Sequence, residues 1–171
     1  MTTHSNFLME ETWESPESIT ERMVGDHSRC DQVYAEGETA LVGGQWEAGE
    51  KLLRTFIAGM QTHIALEEQV LFPAIEEATG MVEGPTSVMR IEHEQIRSLL
   101  EELSRALESK DDDRILAIGE TLNILIQQHN LKEENMLYPM SDAHLKDKKK
   151  ELLQKMQSLA TQGNHGTSPL E

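Results

Sequence analysis

Cysteine is almost missing from this chain. Cys30 is the only one among 171 residues, so an intramolecular disulfide is excluded. A single thiol also fits a reducing compartment. Aromatic residues are scarce, with two Trp, two Tyr and three Phe, which leaves little for a base-stacking platform. Basic residues are outnumbered, 15 Lys and Arg against 31 Asp and Glu, for a net charge of −16. A polyphosphate or an anionic membrane surface is repelled by that charge, so no nucleic-acid and no membrane partner is expected. No apolar run approaches the ~20 residues of a membrane span. Residues 1–5 lack the basic and apolar regions of a signal peptide, so the expected location is cytoplasmic. Glycine and proline are sparse, at 11 and 5. Leu, Met, Ala, Glu and Gln are common instead, which favours helix.

Apolar residues recur at helical spacing along most of the chain. Residues 1–15 are polar and expected to be flexible. Ser15 and Pro16 suggest a helix start. Thr20, Met23, His27, Cys30, Tyr34 and Leu41 then share one face, up to Gly43-Gly44. A second helix is expected from Trp46 to Glu77, with Phe56, Met60, His63, Glu67, Val70 and Ala74 inward and Gly80 as its C-terminal cap. A third covers about 82–108, with Val82, Met89, His93, Ile96, Leu100, Leu103 and Leu107 as its seam. Asp111, Asp112 and Asp113 offer N-terminal carboxylates to a fourth. That helix carries Ile115, Ile118, Leu122, Leu125, His129, Glu133 and Met136. Asp142 to Leu159 reads as a shorter fifth helix. The expected fold is all-α: an up-down four-helix bundle over residues 16–142. Residues 143–171 add the C-terminal helix and a disordered tail.

One pattern occurs twice, 66 residues apart. His63-Ile64-Ala65-Leu66-Glu67-Glu68-Gln69-Val70-Leu71-Phe72-Pro73 matches His129-Asn130-Leu131-Lys132-Glu133-Glu134-Asn135-Met136-Leu137-Tyr138-Pro139. Upstream, Met23-Val24-Gly25-Asp26-His27 matches Met89-Arg90-Ile91-Glu92-His93 at the same separation. Each His-x-x-x-Glu places both side chains on one helix face. His27, His63, Glu67, His93, His129 and Glu133 therefore all point inward. A lone inward histidine is ordinarily a hydrogen-bonded core residue. Four of them with two inward glutamates, and no matching inward Lys or Arg, call for a bound cation. Imidazole and carboxylate without thiolate suit iron, manganese or zinc. Two metals with two histidines each and two bridging glutamates leave room for an exogenous ligand on octahedral ions, which favours iron or manganese. The Glu-x-x-His spacing of ferritin-like proteins is absent, since Met60 and Ile126 occupy those positions.

These motifs closely resemble the hemerythrin-like, or HHE cation-binding, family. The resemblance rests on Asp26-His27, His63 with Glu67-Glu68 and Leu71-Phe72-Pro73, Glu92-His93 with Ile96-Arg97, and His129 with Glu133-Glu134 and Leu137-Tyr138-Pro139. It covers about residues 20–142. It implies a four-helix bundle around a non-haem di-iron centre, two iron ions joined by an oxo or hydroxo bridge, with manganese or zinc as alternative metals. By that resemblance His27, His63, His93 and His129 are terminal ligands, and Glu67 and Glu133 bridge. Oxygen-carrying members have a fifth histidine where this chain has Met89. Four histidines and two glutamates are more similar to di-iron proteins of iron–sulfur cluster repair and nitrosative stress. Those usually carry an N-terminal cysteine-containing domain, and residues 1–15 hold no cysteine. The implied partners are O2, NO or peroxide, in sensing, stress defence or iron handling. A di-iron enzyme decomposing peroxide or reducing NO, and a metal-stabilised interaction module without redox chemistry, are the alternatives. No substrate motif separates an enzyme from a binding protein.

Other residues attract weaker expectations. Met23 and Met89 read as packing beside the histidines. Tyr34 and Tyr138 read as core tyrosines within reach of hydrogen bonds. Glu68 and Glu134 are one step, about 100°, around the helix from the inward glutamates, so they read as solvated or outer groups. Asp26 and Glu92 are candidates to orient histidines. Cys30 reads as a buried thiol. His4, His144 and His165 read as surface residues.

Overall fold

Helices begin and end where their orphan backbone groups find partners. The computed structural model describes residues 18–163. Ser18 is extended and its hydroxyl accepts from the Glu21 amide, capping α1 (Ile19–Val42). The Asp142 carboxylate also accepts from the Ile19 and Thr20 amides, at 2.9 and 3.2 Å. Ser15 and Pro16, expected to start this helix, lie outside the described residues, as do His4, His165 and the terminal tail. Gly43 and Gly44 turn the chain into α2 (Trp46–Leu66). There α1 and α2 approach closely: a Cβ on Gly49 would stand 2.8 Å from the Leu41 side chain.

The second helix is not one regular α-helix to its end. A π turn, Glu67–Leu71, separates α2 from α3 (Phe72–Thr79). Gly80 ends α3 in the left-handed region, at φ 70°. The third helix, α4 (Pro85–Glu108), starts later than expected, with Pro85 in its first turn. The Asp111 side chain caps α5 (Asp112–Lys132). A second π turn, Glu133–Leu137, leads into α6 (Tyr138–His144). A 3-10 turn, Lys146–Lys148, breaks the expected fifth helix before α7 (Lys149–Gly163).

Both π turns have the same cause. Proline in a helix has no N–H and its ring collides with the carbonyl four residues back. Pro73 and Pro139 come two residues after the last residue of each turn. The chain widens ahead of each, and the Phe72 and Tyr138 amides reach five residues back, to the Glu67 and Glu133 carbonyls. The extra residue rotates the rest of each helix about its axis. Leu71, Phe72, Leu137 and Tyr138 are buried at 0–2% exposure. Val70, expected inward, is only partly buried, and Met136 is 65% exposed. Val82, expected on the third helix's seam, is 67% exposed in the loop before α4.

The architecture is an all-α, hemerythrin-like bundle with an added C-terminal helix, and no strand occurs among the described residues. Its four columns are α1, α2 with α3, α4, and α5 with α6. Neighbours in the bundle are α1 with α2, α4 with α5, α1 with α5 and α6, and α4 with α2 and α3. Two apolar cores fill it. One holds Tyr34, Phe56, Met60, Ile96, Leu100, Leu122 and Ile126. The other holds Met23, Leu71, Phe72, Met89, Leu137 and Tyr138. There α7 contributes Leu152 and Met156. Truncating a fully buried ring such as Phe72 to Ala costs about 3–5 kcal/mol. On every column the histidine lies between the two cores, as His27 does between Met23 and Tyr34.

Candidate metal centre

The structure brings all six predicted residues into one buried cluster. His27, His63, His93 and His129 are 0–4% exposed, and Glu67 and Glu133 are fully buried. The repeat produces an approximate two-fold arrangement. His27 and His63 form one pair, with ring centroids 4.7 Å apart and planes tilted 58°. His93 and His129 form the other, 4.9 Å apart and again tilted 58°. Each glutamate lies between the pairs. Glu67 Oε1 is 3.0 Å from His63 Nε2 and 3.4 Å from His93 Nε2. Glu133 Oε1 is 3.1 Å from His129 Nε2 and 3.3 Å from His27 Nε2.

The outer nitrogens of all four rings face carboxylates. His27 Nδ1 meets Glu134 at 2.8 Å and His93 Nδ1 meets Glu68 at 2.9 Å. His129 Nδ1 meets Glu92 at 2.7 Å, and His63 Nδ1 meets Asp26 at 3.5 Å. These pairings also obey the repeat: Glu68 and Glu134 reach the other unit's histidine, while Asp26 and Glu92 reach their own. An Nδ1–H held by a carboxylate leaves the Nε2 lone pair facing the centre. Glu92 is within hydrogen-bond reach of His129, and Asp26, at 3.5 Å, is at the limit of reach of His63. Glu68 and Glu134 are not merely solvated. They sit in the π turns, and their carboxylates reach His93 and His27 on neighbouring helices.

Electrostatics are set by burial and crowding. Burial opposes a charged imidazolium on His63, but Glu67 and Glu133 together outweigh it and raise the group to about 9. His129 is raised too, with Glu133 and Glu92 overcoming burial. Burial resists ionisation of Glu67, yet the surrounding histidines hold its carboxyl well below the usual range. Glu68 is lowered against burial by Arg97 and His93, and Glu92 by Lys132 and His129.

Donor atoms without partners test whether these residues suit a metal. Five buried side-chain polar atoms among the described residues lack a hydrogen bond. Four of them are Glu67 Oε1, Glu133 Oε2, His93 Nε2 and His129 Nε2. Leaving such groups bare costs about 1–3 kcal/mol each, and more when charged. Their ligand atoms also group: Glu67, His93, His129 and Glu133 within 4.8 Å of one another, and His27, His63 and Glu133 likewise. A hard or borderline cation satisfies that set.

The remaining candidates divide. Met23 and Met89 are packed against the second core, as expected. Tyr34 lies in the first core, packs against Phe56 with ring planes tilted 56° and donates to Glu38 at 2.6 Å. Tyr138 is different. Its hydroxyl is inside the cluster, 3.1 Å from His27 Nε2 and from Glu133 Oε1. At the matching position Phe72 stacks on His93, 5.5 Å between centroids and 12° between planes. Burial and the two glutamate charges raise the Tyr138 phenol well above its usual value. The sequence signal for this role was present, as the one aromatic mismatch inside an otherwise repeated motif. Cys30 is partly buried, burial raises its thiol, and it lines a cleft of about 1020 Å³ shared with Asp26, His63, Phe56 and Gln157. His144 is exposed at the end of α6. No helix among the described residues is long and apolar enough to cross a membrane.

No curated protein and no solved structure matches the chain significantly. The family model described as the hemerythrin HHE cation binding domain matches residues 18–141. That span takes in both repeat units whole, and the chain belongs to the hemerythrin HHE cation-binding family.

Proposed function

We propose that this chain is a non-haem di-iron protein whose centre binds O2, NO or peroxide, in sensing, stress defence or iron handling. The observation that carries the reading is the pair of buried carboxylates, each lying between one histidine of either pair. A single cation does not need that arrangement, whereas two adjacent cations share both glutamates. His27 and His63 would hold one iron, His93 and His129 the other, and Glu67 and Glu133 both. The iron pair, when bound, supplies exchangeable coordination positions and a change of oxidation state on each ion. The chain supplies the rest. Asp26, Glu68, Glu92 and Glu134 fix the imidazole tautomers. Met23, Met89, Leu71 and Phe72 keep that end of the centre dry, which strengthens every charge interaction within it. The cleft between α1, α2 and α7 reaches His63 and Asp26 and offers a small molecule an approach.

The test is metal analysis and an optical spectrum of protein from an iron-replete host, followed by anaerobic reduction and exposure to NO, to O2 and to peroxide. Two irons per chain and a spectrum changed by NO are expected. One metal per chain, or a two-iron spectrum indifferent to all three ligands, overturns the reading.

A further inference from the structure

Among the residues that face the centre directly, the repeat makes the two half-sites alike except at one atom. Tyr138 carries a hydroxyl where Phe72 has none, and that oxygen is surrounded by donor atoms. It lies 3.1 Å from His27 Nε2, 3.4 Å from His63 Nε2, 3.2 Å from Glu67 Oε2 and 3.1 Å from Glu133 Oε1. At most one of these four contacts is a hydrogen bond that the phenol donates, and both carboxylate contacts are long for one. A phenol donates once, and a bond between hydroxyl and carboxylate closes to about 2.5–2.8 Å. Tyr34 shows the ordinary case in this chain, at 2.6 Å from Glu38.

The spacing has another meaning. Neighbouring ligands of an octahedral ion with bonds of about 2.1 Å stand about 3.0 Å apart, the edge of the octahedron. His27 Nε2 and His63 Nε2 are 3.0 Å apart, and His63 Nε2 and Glu67 Oε1 are 3.0 Å apart. The Tyr138 oxygen stands 3.1–3.4 Å from His27 Nε2, His63 Nε2 and Glu133 Oε1, as one further vertex would, and meets Glu67 through its other oxygen, Oε2. The other half-site has no such vertex, because the Phe72 ring lies flat against His93.

We propose that the phenolic oxygen of Tyr138 is a ligand of the metal held by His27 and His63, giving the two metals unequal protein shells. The inference rests on the di-iron reading above. The metal between His27 and His63 has five protein donors and one position left. Its partner has four, and two positions left. The His93 and His129 metal therefore keeps more positions for an exogenous small ligand. A phenol that binds a ferric ion releases its proton to solvent, and the charge it gains is neutralised by the cation.

The experiment uses the full chain loaded with ferric iron, with iron content measured alongside. Expected is a visible phenolate-to-iron charge-transfer band whose resonance Raman spectrum shows ring modes that shift on deuterating tyrosine. Tyr138→Phe should lose the band while keeping two irons, and Tyr34→Phe should keep both. Two irons with no phenolate modes in the unaltered chain overturn the proposal and leave the di-iron reading intact. Modes that persist in Tyr138→Phe overturn it too. Failure to take up two irons overturns the di-iron reading and the proposal together. The Raman measurement on unaltered protein decides the matter even if Tyr138→Phe folds poorly.

Discussion

The half-site around His27 and His63 and the one around His93 and His129 use the same residue types in the same order but are braced differently. Around His93 the outer carboxylate is anchored. Arg97 makes two bonds to Glu68, at 3.1 and 2.6 Å, and Glu68 holds the ring. Lys132 pairs with Glu92 behind His129. Sixty-six residues before Arg97 stands Asp31, of opposite charge. Burial raises the Asp31 carboxyl, and the nearby Glu134 charge adds to that. Glu134 is accordingly the more open of the two, 34% exposed against 19% for Glu68. Asp26 is one methylene shorter than its counterpart Glu92, and stands 3.5 Å from its histidine rather than 2.7 Å. Residues that would touch a metal admit no such drift, because a bond tolerates only a few tenths of an ångström. Groups one step out need only keep a ring's tautomer.

The largest expected effect strikes what the halves share. Glu67→Ala or Glu133→Ala removes an acceptor lying between both histidine pairs and leaves four imidazoles around a less negative hole. Each variant should lose both metals, well beyond the roughly 10–100-fold weakening typical of an outer-partner change. Metal content per chain after gel filtration measures this. A variant that keeps one tightly bound metal would mean that the glutamates do not bridge.

A smaller effect should separate the halves. Glu68→Ala leaves Arg97 with Glu94 alone and frees His93, so metal affinity should fall by about 10–100-fold. Glu134→Ala removes a half-open group that faces Asp31, so its loss should be several times smaller. Competition with a chelator of known affinity compares the two. Equal losses would show that the cationic brace is irrelevant and that only the hydrogen bond to the ring counts.

The fold and the six central residues were legible because both rest on periodicity. Helical spacing placed His27, His63, His93 and His129 inward, and the 66-residue repeat showed that they form sets. What periodicity could not give was the π turn. An ideal 3.6-residue period carries Val70 and Met136 into the core, whereas Pro73 and Pro139 force an added residue and deliver Phe72 and Tyr138 instead. The role of Tyr138 stems from that one rotation. The signal was the proline ending each motif, yet the second helix was expected to run through Pro73 to Glu77 without a local widening. Asp31, Arg97 and Lys132 were hidden for another reason, since their importance is a matter of which column faces which.

The smallest effect concerns protons in the metal-free protein. His63 is raised from its ordinary 6.5 to about 9, and His129 is raised as well. A group that holds its proton more tightly when folded stabilises the fold fully below the unfolded value and loses that contribution as pH rises through the folded one. Glu67, Glu68 and Glu92 are lowered from 4.5, so their contribution is present above that pH and lost on acidification. Metal-free protein should therefore be most stable between about pH 4.5 and 6.5 and soften from there toward pH 9. A bound cation takes the place of those protons, and its affinity rises as they cease to compete. The gap in melting temperature between metal-loaded and chelated protein should then widen from pH 6 to 9. His129→Gln and His63→Gln sharpen the comparison of the halves. The chelated His63→Gln protein should lose more of the alkaline softening, because the His63 proton is held between Glu67 and Glu133 and the His129 proton partly by the outer Glu92. A gap that stays flat with pH, or identical alkaline profiles for the two variants, would mean that protons do not stand in for the metal at this centre.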